Sequence, residues 1–189
     1  MPKVGAEPIR KAALINATIS TVGQAGSLDV TVAQIARAAG VSAALAHHYF
    51  GTKERLFLAA MRHILTQYRD TAAAAIRGVA SPAERLRAVI AANFEPSNFA
   101  REAVATWLNF YALALVDAEA ARLLRVYHRR LRSNLLYALR PLVGARAEGI
   151  AATTGALIDG LYLRAALSGD TDAAGAERLA LDYLERVMS

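Results

Sequence analysis

Apolar residues recur along most of this chain at the three- and four-residue spacing of an α-helix, and no stretch shows the period-two alternation of a strand. The stripe is clearest where leucine or tyrosine returns every fourth residue from Leu123 to Leu139. Glycine, proline and capping residues divide the pattern into separate helices. The sequence therefore predicts an all-α fold, with helices over 8–24, 52–77, 82–94, 100–116, 118–142, 148–168 and 174–188.

Between the first two of these helices lies the segment 31–56, TVAQIARAAGVSAALAHHYFGTKERL, which predicts two further short helices. Thr31 can cap the first with its hydroxyl, and Ser42 can cap the second. Gly40 stands where a left-handed residue ends a helix. Two helices joined by a turn of a few residues form the helix-turn-helix unit, which places its second helix in a DNA major groove. The residues predicted to face inward are Ile35, Ala36, Val41, Leu45 and Phe50.

The same segment resembles the signature of the TetR family of bacterial repressors. The matching positions are Thr31, Ile35, Ala36, Ala39, Gly40, Val41, Ser42, Tyr49, Phe50, Lys53, Glu54 and Leu56. The chain departs from the family at His47, where tyrosine is usual, and at Ala43 and Ala44. The resemblance implies a three-helix DNA-binding head in residues 1–52. A helical ligand-binding and dimerisation body would follow in 53–189, with 53–77 as the connecting helix.

The helix from Ser42 to Tyr49 is the predicted DNA reader. Alanine methyls can touch only a thymine methyl, whereas His48 can hydrogen-bond a purine edge. Because such a helix reads few bases, phosphate contacts must position it on palindromic double-stranded operator DNA. A metal site at His47 and His48 is disfavoured, since neighbouring side chains on a helix diverge by about 100°. The predicted DNA-binding residues are Thr31, Ser42, Ala43, Ala44, His47, His48, Tyr49 and Lys53.

Charge and composition narrow the function. The 189 residues carry a net charge of +6, and residues 1–70 hold eight basic against four acidic residues, so +4 lies in the predicted head. Phosphate binding requires such an excess, although an ordinary solvated surface can also carry it. Cysteine is absent, which excludes disulfides, zinc–thiolate sites and cysteine nucleophiles. The chain also lacks a glycine-rich phosphate loop and the spacing of metal ligands. We therefore expect that the protein is not an enzyme and that it binds no cofactor.

The location expected from the sequence is the cytoplasm, with no membrane partner. The absence of cysteine fits a reducing compartment. No uninterrupted apolar run reaches the ~18 residues that a membrane span needs. The N-terminal residues show no signal-peptide pattern.

Aromatic residues in the second half suggest where a small molecule binds. Trp107, Phe110 and Tyr111 share one helix face in the segment that the family resemblance assigns to ligand binding. Asp159 is a charge in an apolar helix and needs a partner, either a ligand cation or an arginine of its own chain. The blander alternative is that these aromatic residues form only core. The predicted ligand-binding residues are Phe94, Phe99, Trp107, Phe110, Tyr111, Asp159 and Tyr162.

Three segments resemble one branch of the family, the choline-responsive repressors of glycine betaine synthesis. They are MPKVG with the following EPIR, HHYF, and ALIDGLYLRAALSG. The resemblance implies choline as the inducer and genes of choline-to-glycine-betaine synthesis as the target. The alternative is a TetR-type repressor that responds to a drug, a fatty-acid derivative or another cation.

The run 150–167 is apolar on almost every side, with Asp159 and Arg164 as exceptions. A helix of this kind is buried on every side, either in the core of one chain or against a second subunit. Paired with the leucine stripe it would form a four-helix contact across a two-fold axis, and the family resemblance implies such a homodimer. The predicted interface residues are Leu123, Tyr127, Leu131, Leu157 and Leu161.

Overall fold

The computed structural model describes residues 6–189, which form α-helices and one short 3-10 helix and contain no strand. The all-α prediction is confirmed, and the predicted helix ends agree with the observed ones within about two residues. The opening MPKVG lies outside the described residues. The helices are α1 Ala6–Ala25, α2 Val32–Ala38, α3 Ala43–Phe50, α4 Lys53–Ala75, α5 Pro82–Asn93, α6 Arg101–Ala114, α7 Ala118–Val143, α8 Ala147–Ser168 and α9 Ala173–Met188.

Capping residues define α2 and α3 as the sequence predicts. The Thr31 hydroxyl accepts from the Gln34 backbone N–H, while the Gln34 side chain accepts from the Thr31 N–H. The Ser42 hydroxyl caps α3 by accepting from the Leu45 backbone N–H at 3.2 Å, without a reciprocal bond. Gly40 adopts a φ of +68°, a left-handed conformation that glycine tolerates without strain. These contacts set the angle at which α3 leaves α2.

The inward face of the helix-turn-helix unit differs in part from the prediction. Ile35 and Ala36 are buried, but Val41, Leu45 and Phe50 are only half-buried. Ala46, which was not predicted, is the buried residue of α3. Ala46 belongs to the same buried core as Ile35 and Ala36.

The long helix α4 runs from the helix-turn-helix unit into the body and packs against α1, α5 and α7. Its buried face extends from Leu56 to Ala72 and includes Tyr68. In the body, α7 packs between α5, α6 and α8, while α9 packs on α5 and α8. Within this bundle Trp107 and Phe110 of α6 are buried, and Tyr111 is half-buried.

A second contact between head and body, not predicted from the sequence, runs along α1 and α6. Gly23 has no side chain at the crossing, and a Cβ there would lie 2.6 Å from the Cα of Glu102. Nearby, the Thr106 hydroxyl donates to the Glu102 carbonyl of its own helix at 2.7 Å and lies 3.3 Å from the Ile19 carbonyl of α1. The absence of a side chain at Gly23 lets the two backbones approach this closely.

Helix α8 is not buried on every side within one chain. Ile158 and Tyr162 face the core, whereas Leu163 and Leu167 on the opposite side are 42% and 72% exposed. Large exposed leucines on one helix face are typical of an interaction surface.

Two of the predicted interface residues are buried within the single chain. Tyr127 and Leu131 are 5% and 2% exposed in the single chain, because this part of the leucine stripe faces the core. They therefore offer almost no surface to a partner subunit. The other three, Leu123, Leu157 and Leu161, are half-buried.

By length and composition, the stretch Ala118–Ser168 contains one window apolar enough to cross a membrane, which corrects the expectation that none would qualify. In the structure this stretch is two helices that turn back near Gly144 and pack against each other. A core helix of a bundle passes the same test, so the window is weak evidence for a membrane span.

Candidate DNA interface and ligand site

Helix α3 presents most of the predicted DNA-binding residues to the outside. Ser42, Ala44, His47 and His48 are exposed, and Ala43 is half-buried. The His47 ring is tied back to the following turn, since its Nδ1 lies 2.9 Å from the Gly51 carbonyl oxygen. The outer face of α3 is thus made of small side chains and two imidazoles, which allows close approach to a groove floor.

The beginning of α1 lies beside α3, so Lys11 joins the candidate DNA surface although the sequence did not single it out. Its Nζ lies 5.4 Å from the Tyr49 ring centroid and 2.7 Å from a carboxylate oxygen of Glu7. The hydrogen bond from Lys11 lowers the pKa of Glu7. The only signal in the sequence was the Arg10–Lys11 pair within the basic excess.

Two predicted phosphate contacts already make internal hydrogen bonds. The ammonium of Lys53 donates to the Leu28 carbonyl at 3.1 Å and retains two further N–H groups. Thr31 is exposed, with its hydroxyl engaged in the cap of α2. Both lie at helix N-termini, where backbone N–H groups favour an anion.

In the body, five aromatic side chains from four helices meet around one point, and we call them the aromatic cluster. Trp107 is at its centre, with ring centroids 4.9 Å from Tyr127, 5.8 Å from Tyr111 and 6.2 Å from Tyr162. Tyr68 of α4 packs edge-on against Tyr127 at 5.4 Å. The cluster therefore consists of Tyr68, Trp107, Tyr111, Tyr127 and Tyr162.

The predicted phenylalanines form an outer layer of this cluster. The Phe99 ring packs edge-on at 4.9 Å from Tyr162 and at 5.4 Å from Phe94. Phe110 packs at 5.7 Å against Trp107 on the same helix. All three are fully buried. They support the tyrosine and tryptophan rings rather than forming a separate group.

Asp159 stands at the edge of the aromatic cluster with two partners, neither of which is an arginine. Tyr111 Oη donates to Asp159 Oδ1 at 2.9 Å, and His128 Nε2 lies 3.1 Å from Oδ2. The alternative of an intrachain arginine pair is therefore wrong. Asp159 and His128 also line a groove of about 250 Å³ between α7 and α8, so the carboxylate connects the cluster to solvent.

The tyrosines of the cluster remain uncharged well above neutral pH. Burial raises the pKa of Tyr68 to about 12, and the nearby Asp159 charge adds to that shift. Burial likewise raises the pKa of Tyr111, Tyr127 and Tyr162, with Asp159 again contributing. The site thus combines neutral aromatic rings with one carboxylate, an environment that favours a cation and disfavours an anion.

The sequence placed Trp107, Tyr111, Asp159 and Tyr162 in the ligand site, and the structure brings these four together. It missed Tyr68 and His128, and it assigned Tyr127 to the subunit interface. A four-residue repeat along a helix identifies one face, but it cannot say what that face meets. The one signal in the sequence was that Tyr127 is a tyrosine in a stripe of leucines. A buried phenol usually needs a polar neighbour, which a purely leucine-lined contact would not supply.

Two family models match this chain. The model described as bacterial regulatory proteins, tetR family, matches residues 14–60, and the model described as BetI-type transcriptional repressor, C-terminal, matches residues 82–189. Among curated proteins, the HTH-type transcriptional regulator BetI of Brucella suis (strain ATCC 23445 / NCTC 10510) is 55% identical over 97% of this chain and 94% of its own length. The protein of the same name from Rhizobium meliloti (strain 1021) is 52% identical over 88% and 83%.

Solved structures share the fold at low identity. A putative transcriptional regulator from Saccharomonospora viridis in complex with choline superposes with a TM-score of 0.81 at 20% identity, covering 93% of this chain and 95% of that one. A TetR transcription regulator from Haloarcula marismortui ATCC 43049 gives 0.83 at 21% identity, covering 94% and 97%. At these identities the similarity concerns the fold alone.

Proposed function

Because this chain belongs to the TetR family of bacterial regulatory proteins, and to its BetI-type repressors, we propose that choline is its inducer and that it represses genes of choline-to-glycine-betaine synthesis. The protein is a transcription regulator and not an enzyme. The observation that carries the choline proposal is the aromatic cluster with Asp159 at its edge. The structural neighbour that holds choline supports it further.

The trimethylammonium group of choline has no N–H to donate, so a protein binds it through aromatic faces and negative charge. In this proposal Trp107 and Tyr127 supply the faces, each worth up to about 2 kcal/mol when water is excluded. Asp159 supplies the countercharge and keeps its bond from Tyr111. At 4 Å and an effective dielectric constant of 20, an ion pair is worth about 4 kcal/mol. Partial exposure of Asp159 reduces this to ~1–2 kcal/mol.

On the DNA side, we propose that two copies of the chain present their α3 helices to successive major grooves. The leucines exposed on α8, Leu163 and Leu167, are the suggested contact between the copies. The two reading helices must lie ~34 Å apart, or a multiple of that distance, to meet both half-sites. Choline can loosen the complex only if it binds the DNA-competent form less well than the other form.

The test is operator binding measured against choline concentration for the wild type and for Asp159→Asn. The variant keeps the size of the side chain and an acceptor for Tyr111, so besides the charge it changes only the contact with His128. We expect a ~5- to 30-fold higher choline requirement with unchanged operator affinity in its absence. Asp70→Asn, at an exposed carboxylate on α4, is the matched control. Truncating Trp107 is less informative, because Trp→Ala in a core costs ~3–5 kcal/mol.

If millimolar choline leaves the wild-type operator complex intact, the inducer is another compound, and the same titration with other cations, drugs and fatty-acid derivatives follows. If choline acts but Asp159→Asn responds like the wild type, the cation is bound elsewhere. Neither result affects the family membership, which rests on sequence identity.

A further inference from the structure

A cavity of about 180 Å³ lies where the DNA-binding head meets the body, and we call it the junction cavity. Helix α1, the turn after it, α2 and the beginning of α4 form most of its wall, and α6 of the body closes it through Leu113. None of the five residues of the aromatic cluster belongs to this wall. Protein interiors contain few voids larger than a water molecule, and binding sites occur preferentially between domains. The junction cavity is therefore a candidate site of its own.

Most of the wall of the junction cavity is apolar. Val22 of α1, Val30 and the Phe57 ring of α4 line it and are buried. Leu28 and Leu113 are half-buried, so they continue the apolar wall to the surface. A molecule that enters between these two leucines would exchange water for aliphatic and phenyl side chains.

The polar side chains of the wall already have partners within the chain. The Thr18 hydroxyl donates to the Leu14 carbonyl at 2.7 Å, and the Lys53 ammonium donates to the Leu28 carbonyl at 3.1 Å. A hydrogen bond from its own backbone N–H lowers the pKa of Glu54, so this exposed carboxylate is held at the start of α4. A water molecule inside a protein needs several polar partners. The junction cavity offers few, which favours an apolar occupant over water.

The volume and the charges of the cavity restrict the class of occupant. An apolar cavity of ~150 Å³ lined by aliphatic and phenyl side chains stays dry and binds benzene. The junction cavity is slightly larger, so it accommodates a six-membered ring with a few further heavy atoms. Lys53 and Glu54 carry opposite charges, so the wall favours neither an anion nor a cation. The occupant that fits is a small neutral ring compound.

We propose that the junction cavity binds a small neutral aromatic or alicyclic molecule and that its occupation changes the affinity for operator DNA. The occupant would contact Leu113 of the body and Val30, which directly precedes the cap residue Thr31. It would also lie against Lys53, the proposed phosphate contact. Because it contacts head and body at once, it binds unequally to arrangements that differ in their spacing and so shifts the equilibrium between them. The site does not depend on which inducer the aromatic cluster binds.

The experiment uses benzene as the probe and glycerol, which has as many heavy atoms but three hydroxyl groups, as its polar control. Binding to the full chain is followed by methyl NMR and by thermal unfolding, and operator affinity is measured in parallel. We expect a dissociation constant for benzene on the order of 1 mM. The shifts should be largest for the methyl groups of Val22, Val30 and Leu113. At ~10 mM benzene, Tm should rise by ~3–6 °C and the operator dissociation constant should change by ~3- to 10-fold. Glycerol should change neither.

Two variants fill the junction cavity from opposite sides, Leu113→Trp from the body and Val30→Phe from the head. Each should abolish benzene binding and the effect of benzene on operator affinity. Circular dichroism shows whether each variant is folded, and either one alone is sufficient for the test. Leu115→Trp is the matched control, because Leu115 is 86% exposed and does not line the cavity. It should bind benzene like the wild type.

If benzene does not bind the wild type up to its limit of solubility, the inference is overturned and the cavity is only a gap in packing. Methyl shifts confined to the core of the body, such as those of Ile158, would also overturn it, because benzene would then occupy another site. Benzene binding that leaves operator affinity unchanged would contradict the proposed effect on DNA binding. None of these results bears on the choline proposal, which Asp159→Asn tests separately.

Discussion

Replacing Gly23 with alanine should destabilise the protein, although alanine is the better helix former. In α1 the change gains about 1 kcal/mol from helix propensity. The added methyl would, however, lie 2.6 Å from the Cα of Glu102 and 2.7 Å from its carbonyl oxygen. Both are backbone atoms and cannot rotate away, so α1 and α6 must separate by about 1 Å. Overpacking of this kind costs ~1–3 kcal/mol.

The net loss is then up to about 2 kcal/mol, which in a chain of this length lowers Tm by ~2–8 °C. The assay is thermal and urea unfolding followed by circular dichroism at one protein concentration. Gly149→Ala is the matched control, because Gly149 is also helical but a Cβ there would have no atom within 4 Å. The control should raise Tm by ~2–4 °C.

The contact also lies between the proposed DNA interface and the proposed ligand site. Helix α6 meets α1 at Gly23 and Thr106 and carries Trp107 and Tyr111 on its inner side. A shift of α6 that relieves the clash should therefore also change the choline response at the operator. If Gly23→Ala stabilises the protein as much as Gly149→Ala does, the close packing of α1 on α6 is wrong. The proposed coupling through α6 would then lose its basis.

Three further outcomes are expected. Lys53→Ala should weaken binding to all DNA sequences alike and lower the salt slope by about one unit, whereas Arg129→Ala, at an exposed site on α7, should not; a changed base preference with the same slope would contradict the phosphate role. Leu167→Glu, 72% exposed in one chain, should dissociate the dimer in sedimentation, while Leu115→Glu, 86% exposed at the end of α6, should not; an intact Leu167→Glu dimer would place the subunit contact elsewhere. The pKa of Tyr68 is raised to about 12, so its contribution to stability is complete below pH 10, where an unfolded tyrosine titrates, and is lost as pH rises towards 12. The unfolding free energy should fall by up to ~1.4 kcal/mol per pH unit in this range for each such buried tyrosine. Ionisation of Tyr68 without any fall in the unfolding free energy would show that its hydroxyl is not buried.

Local sequence signals are sufficient to predict the helices and the helix-turn-helix unit. These signals are the apolar spacing, caps such as Thr31 and Ser42, and the left-handed Gly40. Each acts over a few residues, so it can be recognised without knowing what the helix packs against. The same local signals predicted the outward face of α3. They also placed Trp107 and Tyr111 on one side of α6, because positions four apart lie on the same helix face.

Which helix faces pack together depends on the packing of the whole bundle. The stripe that contains Tyr127 predicted one continuous contact surface, yet Tyr127 packs on Trp107 in the core while the exposed leucines are on α8. Asp159 required a partner, but the choice of Tyr111 and His128 depended on how α6, α7 and α8 cross. A helical period fixes directions around one axis only. Contacts between helices far apart in the chain depend on crossing geometry and on close approaches such as Gly23 on Glu102, for which the sequence carries no local signal.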